Sequence, residues 1–360
     1  MGHVPKMSGI SGTYKKKRVR NLVTVEQLEK ELKQGTLEPL YLLYGEEIYL
    51  LESCLKRMKK IFGQTQVGIN EIRIDDTSVS HLISDIETPA FGYEKKLIIA
   101  RNTGLFQTEG KKKTENPMVQ KLLAYLEENE NVWKEAVVLI FIEETINKNA
   151  LYKWIEKQGI TVEFSYLKPA QMVARLKAIA KAYEVNLPET VAMYFIETVG
   201  CDMQDAMNEL RKLIEYTGKG GTIEKKAIDL LCIPQMDSVI FDLTDNLGKK
   251  NMQKALEVLH NLLYQKEPMQ KILIMLYNHF KKLYFVKIAE RENKNAATVL
   301  NLKPNQTFLI GKYKTQANYF QEKELRNLLE ALICLDSDAK LGKIDLEIGV
   351  EAVLCRYCAA

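Results

Sequence analysis

Gly45, Glu46 and Glu47 follow a short apolar run, Leu40-Tyr41-Leu42-Leu43-Tyr44, and precede an amphipathic stretch. A strand, a glycine and a helix in this order mark where a phosphate-binding loop, G-x-x-x-x-G-K-[S/T], would stand. In such a loop the glycines let backbone N–H groups cradle phosphates, the lysine neutralises them and the hydroxyl holds Mg²⁺. Here one glycine is present, the lysine is missing, and two carboxylates sit at the helix N-terminus, where they repel a polyanion. G-K-[S/T] occurs nowhere in the 360 residues. The stretch 136–142 (AVVLIFI), followed by Glu143 and Glu144, looks like a strand ending in Mg²⁺-holding acids. Those acids need a nucleotide to work on, and without the loop they read as caps on a strand end at the surface. Cys355 and Cys358 have C-x-x-C spacing, but a zinc site needs a second ligand pair. The histidines (3, 81, 260, 279) are isolated from one another and from cysteine. Two helix-packing thiols and no metal is the expectation. A nucleophile signature such as G-x-S-x-G is also missing. The residues point to an interaction protein without a cofactor or catalytic residues of its own, built on a nucleotide-binding scaffold.

The elements that must position these residues change character along the chain. Alternation dominates the first half. Thr24 with Gln27 makes a capping box before a helix carrying Leu28 and Leu32. Strands are expected over 40–44, 69–74, 96–101, 136–142 and 160–164. Helices are expected from 48 to 62, from a Ser78 cap to 86, over 116–128 and over 148–158. Strands alternating with helices imply a parallel sheet covered on both faces. Residues 104–113 read as an exposed loop, because Lys111, Lys112 and Lys113 resist burial. Beyond Pro169 the strand signal vanishes. Helices are expected over 170–183, 188–199, 203–216 and 222–231, with Pro188 in a first turn. Everything after Pro234 reads as helical, including a long stretch from 268 to 291.

Composition agrees with this division. The 51 Lys and Arg against 47 Asp and Glu leave a net charge of +4, too slight to mark a generic DNA binder. With 46% hydrophobic and 27% charged residues, the chain fits two or three soluble domains. No run reaches the ~18 apolar residues of a membrane span, and no signal-peptide pattern follows the N-terminal charges. A cytoplasmic protein with no membrane partner is expected. Residues 1–20, ending in Tyr14-Lys15-Lys16-Lys17-Arg18-Val19-Arg20, read as a basic solvated tail.

An α/β domain, a small helical module and a larger helical domain in this order resemble AAA+ family proteins, and clamp-loader subunits among them. Four segments carry a closer resemblance, to the delta subunits of bacterial DNA polymerase III. They are Leu40-Tyr41-Leu42-Leu43-Tyr44-Gly45-Glu46-Glu47; Thr88-Pro89-Ala90-Phe91-Gly92-Tyr93-Glu94-Lys95-Lys96-Leu97-Ile98-Ile99; Glu267-Pro268 through His279-Phe280-Lys281-Lys282-Leu283-Tyr284-Phe285-Val286-Lys287; and Asp336-Ser337-Asp338-Ala339-Lys340-Leu341-Gly342. Each is short, and their order and spacing make the match specific.

The resemblance implies an AAA+-like α/β domain over 21–168 without a functional phosphate loop, a helical lid over 169–233 and an all-α collar over 234–360. It implies a subunit that hydrolyses no ATP, binds the ring-shaped sliding clamp (beta) and helps open one ring interface. Its partners would be the ATPase subunits (gamma/tau) and delta-prime in a spiral around primer–template DNA. Such subunits are grouped with DNA-directed DNA polymerase, a nucleotidyltransferase, although polymerisation belongs to another chain. The family's clamp contact, an apolar wedge before the third strand, falls on Thr88, Ala90 and Phe91. Ala90 is smaller and Thr88 less apolar than the family's usual residues there. Read from the residues alone, Phe91 sits at a helix-to-loop corner, where it either fills a partner's pocket or folds back on its own core. Lys340 and Lys343 lie in a turn that the family directs toward DNA, and either touch phosphate or are simply solvated. The stripe Tyr277, Phe280, Leu283, Tyr284 and Lys287 reads as helix packing. The alternatives are an active AAA+ ATPase or remodelling factor with a divergent phosphate loop, using Glu143 or Glu144, and a helical nucleic-acid adaptor.

Overall fold

In a computed structural model that describes residues 23–109 and 114–359, helix α1 (Val25–Leu32) starts where its capping box predicts. Thr24 Oγ1 accepts from the Gln27 N–H, and the Gln27 side chain accepts from the Thr24 N–H. Two of the helix's free donors are thereby satisfied, and Leu28 and Leu32 turn to the core. The basic run 15–20 and residues 111–113 lie outside the described residues. The chain divides into two compact units, Met1–Ser165 and Tyr166–Ala360.

In the first unit the chain continues through β1 (Leu40–Tyr44), α2 (Ile48–Phe62), β2 (Glu71–Ile74), α3 (Leu82–Glu87) and β3 (Lys96–Arg101). A two-residue pair follows, β4 (Thr108–Glu109) with β5 (Thr114–Glu115), then α4 (Pro117–Glu128) and α5 (Glu130–Ala136). The unit closes with β6 (Val137–Glu143), α6 (Ala150–Gln158) and β7 (Ile160–Glu163). Five strands form one sheet in the order β2-β3-β6-β1-β7, and every pairing is parallel. All residues of β1 and β6 are buried, as expected of strands covered on both faces. Parallel pairing sorts the loops: those that follow strands gather at the carboxyl edge, and those that precede strands gather at the amino edge.

Four local expectations need correction. Ser78 does not cap a helix. Asp75 Oδ1 accepts from the N–H groups of Thr77 and Ser78 and from both their hydroxyls, and a 3₁₀ turn intervenes before α3. Residues 104–109 are not simply an exposed loop, because Leu105 and Phe106 are fully buried. Phe106 meets Phe141 edge-on at 5.4 Å. Helix α5 was not expected from its polar sequence, yet Trp133 is buried there and donates its Nε1–H to the Leu126 carbonyl. Glu143 is buried rather than a surface cap, while Glu144 is exposed.

The second unit is helical throughout its described residues. Its first half holds α7 (Pro169–Ala182), α8 (Glu189–Val199), α9 (Met203–Thr217) and α10 (Lys225–Leu231). Then come α11 (Met236–Gly248), α12 (Met252–Tyr264), α13 (Met269–Arg291), α14 (Ala296–Val299), α15 (Leu309–Ala317), α16 (Glu322–Lys340) and α17 (Leu346–Ala359). Pro188 and Pro268 stand at N-cap positions, one residue before the turns they were expected to open. Ile272, Leu276, Phe280, Leu283 and Val286 of α13 are buried against Leu325, Leu328 and Leu332 of α16. A fully buried Phe or Leu of this kind contributes about 1.5–3 kcal/mol. Phe280 and Leu283 are therefore core, as the stripe's spacing indicated.

Candidate functional site

The carboxyl edge of the sheet brings Gly45, Glu47, Thr103, Glu143 and Phe164 together. Gly45 has φ +129°, and a Cβ placed there would lie 2.3 Å from the Phe164 carbonyl oxygen. The Gly45 N–H donates to the Glu143 carbonyl at 3.0 Å, and the Glu47 N–H donates to the Phe164 carbonyl at 2.8 Å. Donors that a phosphate loop would aim at an anion are thus spent on backbone oxygens of the same chain. Glu47 is buried at the N-cap position of α2, and Glu46 is exposed. The Glu143 carboxylate accepts from the N–H and the hydroxyl of Thr103 at 2.9 and 2.8 Å, tying β6 to the end of β3. Burial raises its pKa, and the two Thr103 hydrogen bonds oppose that rise.

Thr88, Ala90 and Phe91 stand at the opposite, amino edge. Thr88 is the C-cap of α3, and its hydroxyl donates to the Ser84 carbonyl at 2.7 Å. Pro89 follows, so the helix cannot continue. The Tyr93 N–H then closes a tight turn onto the Ala90 carbonyl at 3.0 Å, with Gly92 at φ +78°. A positive φ at the third residue is what a type II turn demands. Phe91 occupies the second position and is 89% exposed; it does not fold back on the core. Ala90 is half-buried and Thr88 exposed.

A residue that sequence reasoning overlooked fixes this corner. Lys96, at the start of β3, is buried. Its ammonium donates to the carbonyls of Asp85 (2.7 Å) and Thr88 (2.5 Å), the free acceptors at the end of α3. Burial lowers its pKa, and the charge of Asp85 opposes the shift. The only sequence signal was a lysine directly before the apolar run Leu97-Ile98-Ile99-Ala100. Replacing Lys96 by Met removes the donor from two carbonyls, a loss of about 1–3 kcal/mol for buried acceptors left unsatisfied. Denaturant unfolding should show that loss, and amide exchange over residues 85–93 should quicken. Unchanged stability with unchanged exchange would remove Lys96 from this role.

Lys340 and Lys343 lie in the second unit, at the end of α16 and in the turn after it. Their ammonium groups pair with Asp336 at 2.5 Å and Asp338 at 2.9 Å, all on the surface. Exposed pairs of this kind contribute about 0–1 kcal/mol and are readily exchanged for another anion. Cys355 Sγ lies 3.9 Å from Met252 Sδ between helices, while the side chain of Cys358 lies outside the described residues. Among the described residues no three His, Cys, Asp or Glu side chains cluster as metal ligands. Nor is any described helix long and apolar enough to cross a membrane.

Comparison with known proteins agrees over most of the chain. Residues 41–165 match the family model described as DNA polymerase III, delta subunit, and residues 237–357 match that of its C-terminal domain. The DNA polymerase III subunit delta of Bacillus subtilis is 25% identical over 329 residues, spanning 90% of this chain and 94% of the relative. A probable DNA polymerase III subunit delta of Aquifex aeolicus is 25% identical over 315 residues, spanning 84% and 87%. The solved B. subtilis DNA clamp loader delta protein shares the fold with a TM-score of 0.74 at 24% identity, covering 93% of this chain and all of that one. Both halves of the chain match one family in its own order, and the chain belongs to the DNA polymerase III delta subunit family.

Proposed function

We propose that this chain is the clamp-binding member of its loader: it grips the sliding clamp through the corner Thr88-Ala90-Phe91 and helps open one ring interface, without hydrolysing ATP itself. The observation that carries this reading is Phe91. A phenylalanine 89% exposed, on a turn held by Gly92, Pro89 and the buried Lys96, leaves its apolar surface in water with no internal return. A partner's pocket recovers that free energy, and the turn's rigidity lowers the ordering cost of docking. The spent N–H groups around Gly45 support the second clause, since an incoming triphosphate would have to displace backbone hydrogen bonds and meet Glu46 and Glu47.

In the same reading, residues 169–233 form the lid and 234–360 the collar that joins the ATPase subunits (gamma/tau) and delta-prime. Lys340 and Lys343 give sequence-independent phosphate contacts to primer–template DNA within the complex. The test is Phe91→Ala. Truncating a central aromatic anchor costs about 2 kcal/mol or more, or roughly 30-fold in affinity for the cognate clamp. Unfolding of the variant should match wild type, because the side chain is exposed. Wild-type affinity in Phe91→Ala would remove the wedge.

A further inference from the structure

Loop 64–71, which leads into β2, reaches the same amino edge as the Phe91 corner. It is tied down unusually firmly for a surface loop. The Gln66 carbonyl accepts from the N–H groups of Ile69, Asn70 and Glu71, each at 3.1 Å. The Asn70 side chain bridges it, accepting from the Gln66 N–H at 2.6 Å and donating to the Gln64 carbonyl at 3.0 Å. At its end stands a buried carboxylate, Glu71, which accepts from Lys59 at 2.7 Å and from Arg73 at 2.9 Å. Burial alone would raise the pKa of Glu71, but hydrogen bonds from Lys59, Arg73 and Thr65 outweigh it and hold the carboxyl below its usual range. All this order presents two apolar side chains to water: Val67 is 60% exposed and Ile69 37%. The loop is joined to the Phe91 turn, since the Tyr93 hydroxyl donates to Gln66 Oε1 at 3.4 Å. Beside the junction runs an open groove of about 370 Å³, with Phe62, Gln64, Asn70 and Tyr93 among its lining.

From this we infer that Val67 and Ile69 form the second half of the clamp-docking surface, a preorganised apolar rim beside Phe91. The inference rests on the reading of Phe91 as a clamp contact. Two observations select the clamp as the occupant. The rim is continuous with the Phe91 turn through Tyr93, so a protein seated on one meets the other. A corner of four residues is also far short of the ~800 Å² per partner that a stable interface buries. An aromatic anchor needs surrounding contacts that exclude water, and the loop is placed to supply them.

The experiment measures affinity of the full chain for the cognate sliding clamp in three variants: Val67→Ser with Ile69→Ser, Val67→Glu alone, and Phe91→Ala. The rim predicts about tenfold weakening for the double variant and at least that for Val67→Glu. The denaturation midpoint of Val67→Glu should stay at the wild-type value, because Val67 is mostly exposed, whereas Ile69 is 37% exposed and the double variant is compared at a temperature where its own unfolding curve shows it fully folded. Clamp affinities within twofold of wild type for both loop variants, alongside a large loss in Phe91→Ala, would overturn the rim and leave the wedge standing. Wild-type affinity in all three would overturn both.

Discussion

Alanine at position 45 is expected to cost the α/β unit about 4 kcal/mol, and nothing in that loss involves a nucleotide. The new Cβ would sit 2.3 Å from the Phe164 oxygen and 2.6 Å from its carbonyl carbon, and these are backbone atoms that cannot swing aside. Displacing them breaks the pair in which Phe164 donates to the Tyr44 carbonyl and accepts from the Glu47 N–H. Backbone strain at φ +129° contributes roughly 1–3 kcal/mol, and overpacking a tight site a further 1–3 kcal/mol. Gly63→Ala separates the two causes. Its φ is +101° with nothing within 4 Å of a Cβ, so it should show strain alone, about 1–2 kcal/mol. Denaturant unfolding of both variants checks the account; equal and small losses would mean that the Phe164 contact is unimportant. A glycine standing where a phosphate loop would begin is required here by the close approach of the Phe164 backbone.

The second large effect is acid destabilisation centred on His279. The side chain is buried in the helical unit, where Nε2 lies 2.8 Å from Gln316 Oε1 and 3.0 Å from the Thr244 hydroxyl. Gln316 in turn donates to the Phe241 carbonyl at 2.9 Å, which fixes its oxygen toward the histidine and places the proton on Nε2. Burial lowers the pKa from 6.5 to about 4; the Gln316 hydrogen bond works against the shift and the charge of Lys282 works with it. Above pH 6.5 the ring is neutral in both folded and unfolded chains, so it adds no pH dependence. Between pH 6.5 and about 4 the unfolded chain takes up a proton that the folded chain refuses, and stability falls as pH falls. At ~1.4 kcal/mol per pH unit the loss reaches about 3 kcal/mol. His279→Gln cannot titrate. The difference between wild-type and variant unfolding free energies should therefore change by about that amount from pH 7 to pH 4, whatever the variant's stability at pH 7. A flat difference would contradict the burial argument.

Much of this architecture was legible before the structure. Short continuous apolar runs marked β1, β3 and β6, and the capping box at Thr24 marked α1. The disappearance of strand signals after Pro169 marked the change to helices. What escaped was decided by tertiary contacts. Helix α5 is held by the Trp133 indole on a backbone carbonyl, which its amide- and acid-rich sequence does not announce. Glu143 could not be known as buried until β3 brought Thr103 alongside. The Phe91 corner was readable from Pro89 and Gly92, but not its exposure. Lys96 and loop 64–71 were hidden for the same reason: a buried lysine and two exposed aliphatics invert the usual pattern, and only packing reveals which side of the surface each is on.

The central claim is that the chain alone docks on the sliding clamp and needs no nucleotide to do so. Its most direct test is a titration of the purified full chain against the cognate clamp, once with a metal chelator and no nucleotide and once with Mg²⁺ and ATP. The account predicts binding in both, with the same affinity. No binding in either, or binding only when ATP is present, would contradict it.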